Sequence, residues 1–269
     1  KESVTKDGKL DTLKKYLEEF KVRIVLTAHP TQFYPGSVLG IITDLTEAIQ
    51  ENDLLRINNL LAQLGKTPFF KHKKPTPYDE AVSLIWYLEN VFYKSFGKIY
   101  DYIQENIFEG KQIENDIINI GFWPGGDRDG NPFVTPEITR TVAKKLKESI
   151  VKKYIKDVKY LRRRLTFKGI RERIIDVNHR LHNILLKKED FLSLDDFVKE
   201  LREIRALLIE QHQSLYVDKV TSLINKTTLF GYHFASLDIR QDSRVHDGMF
   251  RALVKELIDN DTDLFPENF

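Results

Sequence analysis

Apolar residues in this chain recur at intervals of three and four over stretches far too long for strands, and no other feature constrains the fold as strongly. Ala81, Ile85, Leu88, Phe92, Phe96, Ile99, Ile103 and Ile107 form one such stripe. Val142, Leu146, Ile150, Tyr154, Val158, Leu161 and Leu165 form a second, and Phe197, Leu201, Ile204, Leu208 and Leu215 a third. Each marks one face of an amphipathic helix that has to be buried against something. Leu39 to Leu64 reads as helical too. Thr135-Pro136-Glu137 predicts a helix start: a hydroxyl cap, a proline at the first helical position and an acid near the positive end of the dipole. Ser193 and Asp196 stand at capping-box spacing before the third stripe, with Asp in place of Glu.

Two short segments break that rhythm. Val22 to Thr27 is β-branched and apolar and runs into Ala28-His29-Pro30-Thr31; Tyr232 to Arg240 has the same character and runs into Gln241-Asp242-Ser243. Each predicts a buried strand with a polar cluster at its C-terminal end, the end at which α/β barrels gather catalytic side chains. Two strands cannot close a barrel. The expected fold is therefore mostly α-helical with a few β-strands: a partial α/β (TIM) barrel embedded in long helices, its remaining strands lying outside the sequence. Residues 1–269 read as one domain, a piece of a longer chain that begins here at Lys1 rather than Met. Lys71 to Pro77 is the most loop-like stretch.

Hydrophobic residues make up 41% of the 269, enough for a substantial core, and there is no cysteine. That removes disulfide frameworks, iron–sulfur clusters and cysteine nucleophiles. No apolar run approaches the length of a membrane span. Net charge is +2, yet thirteen Lys/Arg face three acids between Lys144 and Arg173. Such a stripe is either the solvated face of a long helix or a polyanion-binding surface.

Three clusters carry candidate chemistry. His29, at a strand end and stiffened by Pro30, suits proton transfer or a contact to a phosphate oxygen, or is a loop histidine with a local hydrogen bond. Gly121 to Pro132 packs four glycines and two prolines into twelve residues, which makes a tight loop whose amides can approach a ligand. Within it Arg128 lies between Asp127 and Asp129, which predicts a fixed guanidinium fork for a phosphate or carboxylate. An Arg–Asp-stapled turn reads equally well. Arg240, at the end of the second strand segment, is either an anion anchor or the partner of Asp238 or Asp242.

These clusters resemble phosphoenolpyruvate carboxylase at three separated places. Thr27-Ala28-His29-Pro30-Thr31 is similar to that family's TAHPT signature. Gly125 to Pro132 matches its GGDRDGNP loop residue for residue, and Phe230-Gly231 with Leu237 to Gln241 matches its FG…LDIRQ segment. The resemblance implies a barrel of eight strands among many helices, in a cytoplasmic enzyme that is a homotetramer when full length and requires Mg²⁺ or Mn²⁺. The implied reaction joins bicarbonate to phosphoenolpyruvate, through carboxyphosphate and an enolate, giving oxaloacetate and phosphate. Carried across, His29 becomes the catalytic histidine and Arg240 the residue that holds the phosphoryl group. Trp123 falls in the bicarbonate pocket, and Arg128 organises the loop or touches the anion. The family's metal ligands, catalytic lysine and mobile glycine loop find no counterpart in this sequence, so no metal ligand is assigned here. Their absence implies a chain that carries part of an active site, inactive alone, whose partner is the C-terminal part of the same polypeptide.

The sequence departs from the family pattern at Gln32 (usually Glu), at Pro124 (usually Met) and at Val245 in the place of an arginine. Those changes imply a divergent bacterial branch. One reading from another class stands beside the resemblance: a helical module that binds a polyanion or nucleic acid through the stripe 144–173. The resemblance itself implies no nucleic-acid or membrane partner.

Overall fold

The computed structural model describes residues 9–27, 34–69, 75–113, 117–129, 131–189 and 191–260. In chain order they form α1 (Leu10–Glu19), β1 (Val22–Leu26), α2 (Gly36–Gln50), α3 (Leu54–Lys66), α4 (Pro77–Tyr87), a π-helical turn (Leu88–Phe92), α5 (Tyr93–Asn106), β2 (Ile118–Phe122), α6 (Pro136–Arg162), α7 (Arg171–Leu186), α8 (Leu194–Gln211), α9 (Val217–Phe230), β3 (Ser236–Leu237) and α10 (Ser243–Asn260). The expectation of a mostly helical chain with few strands holds. A barrel is not what the described residues form: they build one parallel three-stranded sheet in the order β1-β2-β3.

The core is organised around α6. Its stripe Val142, Leu146, Ile150, Tyr154, Val158 and Leu161, with Leu165 beyond, is at most 2% exposed throughout. A stripe of this length can be buried only if other helices wrap it; α4, α7 and α9 do so and share one continuous cluster with the sheet. The cap reading is right at both places. Thr135 Oγ1 accepts from the Ile138 amide with Pro136 at the first helical position, and Ser193 Oγ accepts from the Asp196 amide. The basic residues of the stripe 144–173 occupy the other side of α6, where Lys144, Lys147, Lys152, Lys156, Lys159, Arg162 and Arg163 are exposed. This is the arrangement expected of a solvated helix face.

Three boundaries differ from the sequence reading, each for a local reason. Leu39 to Leu64 is two helices, because Asn52 takes a left-handed φ of 56° and Asp53 caps a new start by accepting from the Arg56 amide. The stripe from Ala81 to Ile107 crosses the π-turn, whose extra residue rotates everything after it by about 100°. Ile99 therefore leaves the buried face and is 45% exposed. Leu215 lies beyond the end of α8 and is half exposed. The second strand segment is also shorter than its composition suggests: Tyr232 to Ala235 are turn, and only Ser236–Leu237 form β3. β2 was not foreseen at all, although Ile117, Ile118 and Ile120 carry a β-branched signal just before the glycine loop.

Buried polar contacts fasten α5, α6 and α9 together. Tyr93 Oη donates to Asp157 Oδ2 at 2.8 Å, and the Lys226 ammonium reaches the same oxygen at 2.9 Å. The Tyr154 hydroxyl donates to the Gly231 carbonyl at 2.7 Å, at the C-terminal cap of α9. Burial pushes the Tyr93 and Tyr154 phenols well above the ordinary tyrosine value, and for Tyr93 the neighbouring Asp157 charge adds to the rise. Burial raises the Tyr232 phenol as well. A raised folded-state value contributes stability that is complete below the unfolded value near pH 10 and is lost as pH climbs past it. Tyr93, Tyr154 and Tyr232 are therefore expected, by absorbance at 295 nm, to stay un-ionised after pH has passed about 10. A later cooperative step should coincide with loss of helical circular dichroism. Ionisation of these three near pH 10 with helicity intact would contradict the buried network.

Candidate functional site

The two faces of the sheet differ because strand side chains alternate. Ile24, Leu26, Ile118, Ile120 and Phe122 face the helices and join the core. Arg23 and Val25 of β1, Asn119 and Gly121 of β2, and Asp238 just beyond β3 share the opposite face, on which Val25 is 38% exposed. At the C-terminal edge of this open face the sequence places Thr27, Trp123 and Arg240. That edge is where parallel sheets present ligand-binding groups.

The backbone fixes this edge closely. The Trp123 amide donates to the Leu26 carbonyl at 3.0 Å, which joins β2 to β1. The Asp238 amide donates to the Phe122 carbonyl at 3.0 Å, the Arg240 amide to Gly126 at 3.0 Å, and the Arg128 amide to Arg240 at 2.9 Å. The glycine loop thus continues the sheet through a parallel bridge between Asp127 and Arg240. Two glycines make this approach possible. Gly125 sits at φ 85°, where a side chain would be strained and would also press on Val142. A Cβ on Gly126 would fall inside van der Waals contact with the Asp238 carbonyl oxygen.

Arg240 is the cation the loop surrounds. Its guanidinium lies 4.7 Å from the Trp123 ring centroid, its Nε 3.8 Å from Asp127 Oδ1 and its Nη2 3.3 Å from Asp129 Oδ2. The side chain stays 45% exposed. Its Nη1 has no partner among the described residues. Contacts this exposed contribute only about 0–1 kcal/mol each, so an arriving oxyanion displaces them at small cost. The local pairing corrects the sequence reading twice. Asp127 and Asp129 address Arg240, not Arg128, because alternate residues of an extended loop point the same way. Arg128 points to the other side and donates from Nη2 to Thr139 Oγ1 at 3.0 Å; that hydroxyl donates in turn to the Gly125 carbonyl at 2.6 Å. Asp238 pairs with Arg23 and Asp242 with Arg244, so neither neutralises Arg240.

Of the four residues singled out by sequence, the structure brings Trp123 and Arg240 into contact and sets Arg128 beneath the loop as its tie to the first turn of α6. His29 lies outside the described residues, as do Ala28 to Phe33. Sequence reasoning did not find Thr139, Arg23 or Asn119. The one available signal was Arg23 itself, a charge alternating with Ile24 inside an otherwise apolar strand. The residues at hand do not fit a divalent metal. The two acids of the loop are turned to Arg240, and no three of His, Cys, Asp or Glu converge among the described residues. No helix among them is long and apolar enough to cross a membrane.

A parallel sheet whose C-terminal edge presents an arginine over a tryptophan ring, set in a large helical body, defines an α/β protein. The phosphoenolpyruvate carboxylase family profile matches residues 3–185 and 167–263, and the chain belongs to that family. It is 28% identical over 304 residues to the phosphoenolpyruvate carboxylase of Shewanella loihica, covering 96% of this chain and 35% of the relative. The corresponding enzyme of Rhodothermus marinus is 26% identical over 322 residues, covering 96% and 34%. That of Shewanella sediminis is 29% identical over 291 residues, covering 90% and 33%. The chain spans about a third of the length of these curated relatives.

The glycine geometry yields a stability test. Gly126→Ala, which sets a methyl against backbone, is expected to destabilise the protein by about 1–3 kcal/mol. Gly40→Ala, in α2 with nothing within 4 Å, is expected to stabilise it by about 0.5–1 kcal/mol. Urea midpoints of the two variants beside wild type check both signs.

Proposed function

We propose that this chain supplies the phosphoryl-binding part of a phosphoenolpyruvate carboxylase active site. The observation that carries the reading is Arg240. It is held by backbone at the C-terminal edge of the sheet, backed by Trp123, with one guanidinium nitrogen left open, in a chain of that family. In the proposed reaction bicarbonate attacks the phosphoryl group of phosphoenolpyruvate. The P–O bond to the enol carbon breaks, leaving carboxyphosphate and an enolate. Loss of phosphate from carboxyphosphate releases CO₂, and the enolate carbon captures it to form oxaloacetate. Arg240 offsets the charge that gathers on the phosphoryl oxygens. His29 takes the carboxyphosphate proton, a role that rests on its sequence motif. Trp123 walls the bicarbonate side, and Arg128 keeps the loop in shape through Thr139.

Residues 1–269 then form one N-terminal domain, and the rest of the active site comes from a C-terminal part of the same polypeptide. Two features support this reading. Among the described residues β1 and β3 are the edge strands of the sheet, where further strands of a barrel would pair. Helix α10 exposes Val245, Met249, Phe250, Leu253, Leu257 and Ile258, each at least 44%, a stripe that calls for a covering element. The Mg²⁺ or Mn²⁺ ligands belong to that C-terminal part. The metal would neutralise the enolate oxygen, so residues 1–269 alone are expected to make no oxaloacetate even with added Mg²⁺. Family resemblance supports a cytoplasmic homotetramer for the full-length enzyme.

The test is oxaloacetate formation by the intact polypeptide carrying this sequence, with phosphoenolpyruvate, bicarbonate and Mg²⁺. Wild type is expected to be active, and His29→Asn to lose activity by about 10²-fold or more while still binding phosphoenolpyruvate. Arg240→Ala is expected to lose both binding and turnover. Binding without any turnover by wild type would leave the anion site standing and remove the carboxylase reading.

A further inference from the structure

We infer that Arg23 is a positioning residue for the anion site: it is the counter-ion that keeps Asp238 from capturing Arg240. The inference rests on the reading of Arg240 as the phosphoryl-binding cation. Asp238 and Arg240 are two residues apart on the same face of an extended segment, so their Cα atoms are separated by about 7 Å. An arginine side chain spans that easily. The Asp238 carboxylate is only half satisfied. Its Oδ1 accepts from Arg23 Nη2, while its Oδ2 is buried with no hydrogen-bond partner among the described residues. Such an oxygen draws any donor within reach. Arg240 already faces Asp127 and Asp129, and Arg128 is turned away to Thr139. Without Arg23, Asp238 would turn to Arg240, and the nitrogen left for a ligand would be taken.

The sheet is built to let Arg23 reach across. Its strand is separated from Asp238 by β2, and the β2 residue between them is Gly121. A Cβ there would sit 2.6 Å from Asp238 Oδ2 and 3.1 Å from Arg23 Nε. Asn119 receives the other branch of the guanidinium, Arg23 Nη1 donating to its Oδ1 at 3.1 Å, and so fixes the plane in which Nη2 meets the carboxylate. A charge pair laid over a glycine, with the Arg23 side chain 44% exposed, adds little to holding the strands together. A hydrophobic pair would do that as well. Its electrostatic effect on Arg240 is what a hydrophobic pair could not reproduce.

The test uses the intact polypeptide carrying this sequence. Phosphoenolpyruvate, and inorganic phosphate in parallel, are titrated by isothermal titration calorimetry. Arg23→Met is expected to raise the apparent Kd about tenfold. Arg23→Lys, Asp238→Asn and the charge-neutral double variant Arg23→Met/Asp238→Asn are expected to bind within about twofold of the parent. The double variant decides. A pair that only staples strands stays broken in it, so weak binding there overturns the proposal, as does unchanged binding by Arg23→Met. If the parent itself gives no saturable change with either probe, the phosphoryl-binding reading of Arg240 fails and the inference falls with it. That outcome is recognised without any Arg23 or Asp238 variant.

Discussion

Burial of one face of α6 is the constraint from which the rest of the structure follows. Seven apolar positions over six turns leave water together, Tyr154 among them, and they do so only where α4, α7 and α9 close around the helix. The same helix reaches the functional site at its first turn, where Thr139 takes Arg128 and returns a bond to Gly125. Its middle reaches the site by another route: Tyr154 pins the Gly231 carbonyl at the end of α9, five residues before β3. Core packing and site geometry are thus not separate problems in this protein. Both ends of the path to Arg240 are attached to one buried helix.

Charges at this edge of the sheet pair locally. Arg240 faces Asp127 and Asp129, and Asp238 faces Arg23. Trp123 contributes a surface that no carboxylate can occupy, and a cation–π contact of this exposure adds about 0.5–1 kcal/mol to the orientation of the guanidinium. Gly121 and Gly126 lie where a side chain would collide with the Asp238 carboxylate and carbonyl, and Gly125 where it would press on Val142.

Much of this was legible in the residues. Helix content, the α6 and α8 stripes and the caps at Thr135 and Ser193 follow from periodicity and local hydrogen-bonding chemistry, which act within a few residues of chain. The motif around Gly125 to Pro132 pointed to the family. What local spacing misled about was phase and partnership. One π-turn moved Ile99 to the surface, and a charge order of Asp-Arg-Asp suggested an internal staple when the acids serve a residue more than a hundred positions away.

By itself the sequence determined that its long apolar stripes are helical, which face of α6 and α8 is buried, and which short motifs mark the family, because those properties are set by neighbours along the chain. Only the tertiary structure decided who pairs with whom. That β2 lies between β1 and β3, that Arg23 crosses Gly121 to reach Asp238, and that Arg240 rests on Trp123 are consequences of sheet order and register. These are fixed by how the helices pack, and no spacing within a single segment encodes them.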